Sequence, residues 1–94
     1  MPTLRALIEG PDITLDRALV LVGRDPQCDT RLESNWVSRR HCILTVDGGE
    51  VVVRDLGSTN GTRINGQRVE RGRLRPGDEI SIAHFTYRLE GAPA

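Results

Sequence analysis

The sequence predicts an all-β sandwich or barrel, on three observations. Turn signals rich in Gly, Pro, Asn and Asp recur roughly every eight to twelve residues. The apolar segments between them are short and rich in Val, Leu and Ile. No window of twelve residues keeps a helical apolar stripe.

The elements follow in order. Residues 4–9 read as a strand that Gly10-Pro11 breaks. Residues 13–15 and 18–22 are strand-like, and Asp25-Pro26-Gln27 opens a polar loop. Residues 31–32 are at most a very short strand, and 33–38 form a second loop. Residues 41–47 alternate, with His41, Ile43 and Thr45 on one face and Cys42, Leu44 and Val46 on the other, a period that suits a strand. Gly48-Gly49 is a tight hairpin signal, because both positions can take positive φ. Residues 50–56 return as the partner strand, and 57–61 are a third loop. Residues 62–64 and 67–69 flank a second hairpin signal, Asn65-Gly66. Leu74-Arg75 leads to Pro76-Gly77, a type II turn pair. Residues 79–83 and 85–89 form the last pair.

Length and composition bound the class. The chain has 94 residues, the size of one domain. Residues 1–90 are read as that domain, and 91–94 as a tail or the start of a linker. Only Trp36, Phe85 and Tyr87 are aromatic, so the core has to be aliphatic. The 13 basic residues are all arginine and balance 13 acidic ones. Zero net charge argues against a nucleic-acid binder, which gains affinity by releasing counterions from a phosphate backbone. The longest apolar run, residues 18–22, is far short of the roughly 20 residues of a membrane span. With no export signal in view, the expected compartment is the cytoplasm. Cys28 and Cys42 are too far apart in sequence for a metal knuckle and too few for a disulfide scaffold, so both are expected as reduced thiols.

Three polar loops could carry chemistry. They are Gly23-Arg24-Asp25-Pro26, residues 34–41, and residues 55–62. A sandwich clusters alternate loops at one end. Together they offer guanidinium groups, hydroxyls, a carboxamide and glycine-rich backbone. That set suits a phosphate, whose charge-assisted hydrogen bonds are short and strong.

The residues resemble the forkhead-associated (FHA) domain family. The resemblance rests on Gly23-Arg24, Ser38-Arg39-Arg40-His41, the run from Asp55 to Thr62, Ile64-Asn65-Gly66 and Gly77-Asp78-Glu79-Ile80, in that order and spacing. It implies a two-sheet β-sandwich without substantial helix, whose loops at one end bind phosphothreonine in a peptide. Residue by residue, it implies that Arg24 contacts the phosphate, that the Ser38 hydroxyl donates to it, and that Arg39 completes the cage. Asn60 would hydrogen-bond the peptide backbone, with Thr59 beside the phosphothreonine. Asn60 also reads as a left-handed turn residue before Gly61, and the two roles are compatible. Gly23, His41, Ser58 and Gly61 would support the site, His41 by pinning the loops through hydrogen bonds. Asn35, Trp36 and Val37 would read the residues after the phosphothreonine. Trp36 is either an apolar platform there or a ring folded onto the sandwich edge.

The implied function is phosphothreonine-dependent recognition in Ser/Thr kinase signalling, without catalysis, metal or cofactor. The partner would be a kinase, its substrate, or a segment of the domain's own longer chain, with no nucleic acid and no membrane. The alternative is a phosphate-independent scaffold or dimerisation domain of the same family, against which intact Arg24, Ser38 and Asn60 argue. An enzyme built on Ser38, His41 and Asp55 lacks any nucleophile-elbow or Walker pattern. A metal site of Cys28, His41, Cys42 and His84 would need His41 and Cys42, strand neighbours, to face the same way.

Overall fold

The computed structural model describes residues 2–91, and these form two packed sheets. The strands in chain order are β1 (Thr3–Ala6), β2 (Ile13–Thr14), β3 (Leu19–Gly23), β4 (Thr30–Arg31), β5 (Cys42–Asp47), β6 (Glu50–Asp55), β7 (Thr62–Ile64), β8 (Gln67–Arg68), β9 (Arg71–Leu74), β10 (Glu79–Ile82) and β11 (Phe85–Glu90). One sheet runs β2-β1-β11-β10-β7-β8 and the other β4-β3-β5-β6-β9. The chain is thus the all-β sandwich that the sequence predicts. Apart from Gly91, the expected tail at 91–94 lies outside the described residues. Among the described residues no helix is long and apolar enough to cross a membrane.

Two hairpins are set by their turn residues. Gly48 and Gly49 join β5 to β6 at φ 58° and 88°, and Asn65 and Gly66 join β7 to β8 at 50° and 84°. Both positions of each turn therefore take the positive φ that matches strand twist. Alternation then decides the core. Val20, Val22, Cys42, Leu44, Val51, Val53 and Leu74 point inward from one sheet, and Leu4, Ile80, Ile82, Tyr87 and Leu89 from the other. Tyr87 is fully buried, and its hydroxyl has no hydrogen-bond partner among the described residues.

Three elements differ from the sequence reading. β1 ends at Ala6 rather than residue 9: the Ala6 amide donates to Asp12 Oδ1 at 2.7 Å, and the Leu7 amide makes the last bond to β11, to the Thr86 carbonyl at 2.9 Å. β9 is a strand the sequence does not advertise. Its Arg-Gly-Arg-Leu run has no apolar alternation, yet a Cβ on Gly72 would lie 2.5 Å from Ile64 Cδ1. The missing side chain is what lets this edge strand close over β7. His41 precedes β5 and does not share the face of half-buried Ile43 and Thr45. It is fully buried, turned under the loops.

The terminal strands β1 and β11 pair side by side, with Thr3 opposite Glu90. At the other end of β11, Phe85 pairs with Ile82, which in turn pairs with Thr62 at the start of β7.

Candidate functional site

Three loops meet at that second end: residues 24–29, 32–41 and 56–61. Gly23, the last residue of β3, makes their approach possible. A Cβ there would lie 2.1 Å from the Arg39 carbonyl oxygen and 2.9 Å from Cys28 Sγ, so only glycine fits. The Arg24 amide then donates to the Ser38 carbonyl at 3.0 Å and the Asp25 amide to the Arg39 carbonyl at 3.1 Å.

His41 ties the second loop to the third. Its Nδ1 accepts from the Ser38 amide at 3.2 Å, and its Nε2 reaches the Gly61 carbonyl at 2.8 Å. The first partner can only donate and the second can only accept, so the ring is the neutral Nε2–H tautomer. Gly61 itself sits at φ 86°. Asn60 does not take a left-handed conformation, so that part of the sequence reading is corrected: the reversal belongs to Gly61 alone.

Asp55 organises the third loop from the end of β6. Its Oδ1 accepts from the Ser58 hydroxyl at 2.5 Å and the Thr62 hydroxyl at 2.8 Å, and its Oδ2 from the Gly57 and Ser58 amides at 3.0 Å. Ser58 Oγ accepts in turn from the Gly61 amide at 3.0 Å. Burial pushes the Asp55 carboxyl up, but the Ser58 and Thr62 hydroxyls and the Ser58 amide outweigh it and hold the group below the ordinary carboxylate range. Asp55 and Thr62 are supporting residues that the sequence reading left out of the site. The spacing that could have revealed them is an Asp at a strand end with a hydroxyl residue three positions on, a local side-chain turn.

This scaffold presents a polar surface. Arg24 is half-buried, and its Nε donates to the Val37 carbonyl at 3.1 Å, while its outer guanidinium nitrogens have no hydrogen-bond partner among the described residues. The Ser38 hydroxyl accepts from the Thr59 amide at 3.2 Å, so its proton remains to be donated. The side chain of Asn60 donates to the Trp36 carbonyl at 2.6 Å, which leaves its Oδ1 as an acceptor. Arg39 and Thr59 are exposed. Arg5, Arg17, Arg31, Arg73, Arg75 and Arg88 each have a carboxylate within 4.0 Å. Among the described residues Arg24, Arg39, Arg40 and Arg63 around these loops do not. The balanced charge of the whole chain therefore hides a cationic end.

Two grooves flank the 34–37 loop. One is lined by Arg24, Arg31, Glu33, Ser34 and Asn35, the other by Trp36, Asn60, Arg63, Ala83 and His84. Trp36 is 62% exposed and lines the second groove, not folded onto the sandwich edge. Val37 is a second correction. Its side chain is fully buried in the core, so it cannot read a ligand, and only its carbonyl takes part, holding Arg24. Arg63 enters the second groove from β7, and Ala83 and His84 enter it from the β10–β11 turn, two positions the sequence reading did not assign to recognition.

The geometry does not form a hydrolytic triad. Ser38 offers His41 its amide and not its hydroxyl, and Asp55 is engaged by Ser58 and Thr62. Nor are the thiols activated. Burial, and after it Asp55, pushes Cys42 up to about 12, and burial and Asp25 raise Cys28. Cys28 Sγ instead donates to the Arg39 carbonyl at 3.2 Å.

Comparison with known proteins places this arrangement. The profile of the FHA domain matches residues 20–83. The glycogen accumulation regulator GarA of Mycolicibacterium smegmatis is 41% identical over 76 residues, which are 81% of this chain and 48% of that protein. The FhaA FHA domain, solved in complex with the intracellular domain of Rv3910, superposes with a TM-score of 0.85 at 32% identity, covering 96% of this chain and all of that one. A domain solved in a study of phosphothreonine-dependent FHA domain interactions gives 0.87 at 32% identity, covering 99% of this chain and 98% of that one. The chain spans half or less of the length of the first curated relatives it matches.

Proposed function

The chain belongs to the FHA domain family, and from that premise we propose that it is a phosphothreonine-dependent recognition module in Ser/Thr kinase signalling, non-catalytic and cytoplasmic. One observation carries the reading. The guanidinium of Arg24, the hydroxyl of Ser38 and the exposed Arg39 stand together at one end of the sandwich, and among the described residues no carboxylate is paired to either arginine. A dianionic phosphate supplies what that cluster lacks. The likeness to a domain solved in a study of phosphothreonine-dependent interactions supports the same reading.

In this reading Arg24, Ser38 and Arg39 hold the phosphate, Thr59 lies beside the phosphothreonine, and Asn60 Oδ1 accepts from the peptide backbone. Gly23, His41, Ser58 and Gly61 keep the three loops at their mutual distances. Asn35 and Trp36 read the residues that follow, Trp36 as one wall of the groove that also holds Arg63 and His84. The partner is a phosphorylated protein: a kinase, its substrate, or a segment of a longer chain carrying this domain.

Titration of an oriented phosphothreonine peptide library tests this. Selective binding over the unphosphorylated library is the expected result. Equal binding of both libraries refutes the proposal and favours a phosphate-independent scaffold.

A further inference from the structure

Away from the loops, the outer face of the five-stranded sheet departs from the polar exterior usual in a sandwich. Register sets Leu21, Ile43, Arg54 and Arg71 in one row across β3, β5, β6 and β9. The next row is Leu19, Thr45, Val52 and Arg73. Their strand neighbours Val20, Val22, Leu44, Val51 and Val53 fill the core, so both rows point outward. Leu19 is 50% exposed, and Leu21, Ile43 and Val52 are half-buried with no layer above them. Leu19, Leu21 and Ile43 are register neighbours and Val52 lies diagonal to Ile43, so four aliphatic side chains share one surface strand face, a feature that marks interaction sites.

The block ends in an uncompensated charge pair. Arg54 and Arg71 are exposed and directly opposite each other on β6 and β9. Like charges in that relation are destabilising. Arg73, one row away, has Asp47 and Glu50 at 3.0 Å. Among the described residues no carboxylate lies within 4.0 Å of Arg54 or Arg71. Asp55 and exposed Glu70, at the bend before β9, line the groove beside them, but neither comes within 4.0 Å of a guanidinium, and Asp55 is engaged by Ser58 and Thr62.

We propose that this face docks a protein segment bearing carboxylates next to aliphatic side chains, as a second contact that needs no phosphate. A carboxylate between the two guanidinium groups would offset their repulsion, and the aliphatic block would bury the neighbouring side chains. The face lies on the flank of the sandwich, and none of its residues belongs to the loops that hold Arg24, Ser38 and Asn60. One partner can therefore engage both surfaces, and the two contacts would reinforce each other.

The probe is a display library of unphosphorylated peptides selected against the intact chain. The expected peptides combine Asp or Glu with Leu, Ile or Val, and perturb the amide resonances of Ile43, Val52, Arg54 and Arg71. They should bind Arg71→Glu about tenfold more weakly and lose affinity as salt rises, while that variant keeps its affinity for phosphothreonine peptides. The double variant Arg54→Gln/Arg71→Gln should show the same loss if the first variant folds poorly. The proposal is overturned if no peptide is enriched, or if the perturbed resonances fall on the loops. It is equally overturned if the chain dimerises through this face and Arg71→Glu disrupts the dimer, because the occupant is then a second copy.

Discussion

The imidazole of His41 bridges the amide of Ser38 and the carbonyl of Gly61, at 3.2 and 2.8 Å, and so ties the loop before β5 to the loop between β6 and β7 through one buried ring. Replacing it with alanine removes both bonds, strands two backbone groups and opens a cavity. His41→Ala is expected to lower stability by about 2–4 kcal/mol. It should also weaken phosphopeptide binding, because Ser38 and the Gly61 loop lose their common anchor. Urea denaturation beside a peptide titration checks both. Unchanged stability would mean that the loops are held by other contacts.

Arg24 separates affinity from folding. Its Nε bond to Val37 is local, whereas its outer nitrogens make no hydrogen bond among the described residues and are the groups proposed to hold the phosphate. Arg24→Ala should remove about 1.5–3 kcal/mol of phosphopeptide binding, roughly ten- to a hundredfold. Its melting transition should stay close to that of the parent. Calorimetric titration at matched folded fraction is the measurement.

Asp55 gives the domain an acid limb. Its folded carboxyl titrates below the ordinary value, so its contribution to stability is fully present above the unfolded value of about 4 and is lost as pH falls through the lower, folded one. Stability owed to this group should therefore be flat from pH 7 to pH 5 and decline only below about pH 4. Asp55→Asn should be less stable at neutral pH, with a shallower acid limb. Urea midpoints measured across that range test the sign.

Tyr87 carries a cost that can be removed. Its hydroxyl is buried without a partner among the described residues, and burial pushes its pKa up to about 12. Tyr87→Phe deletes the unsatisfied group and keeps the ring. Stability should rise by about 0.5–1 kcal/mol. A loss of that size in urea denaturation would point to a hydrogen bond that forms in solution.

The strands and turns were legible in the sequence where one residue type dictates backbone shape, as at Gly48-Gly49 and Asn65-Gly66. β9 was not, because Gly72 serves a contact with Ile64 that exists only once the sheets have closed. The site followed the same division. The spacing of Arg24, Ser38 and Asn60 marked the loops. Nothing in the run from Asn35 to Val37 distinguished a core anchor from a ligand contact, and Val37 proved to be the anchor. Asp55 was visible as part of a motif, but its four bonds depend on a loop conformation that no period reveals. Arg63 and His84 reach the second groove through pairing of β7 with β10 and of β10 with β11, a long-range relation outside local pattern.

The pairing of Thr3 with Glu90 places the two described chain ends together, at the far end of β11 from the proposed site. Any chain that continues in either direction leaves from the rear of the module, so the loops face outward like a socket on a stalk. A phosphothreonine in such a continuation must first travel back along β11, six residues or roughly 20 Å, before it can reach Arg24. A short continuation therefore leaves the socket open to other proteins, and a long one can fill it. Tether length alone would decide between capture of a partner and self-occupation.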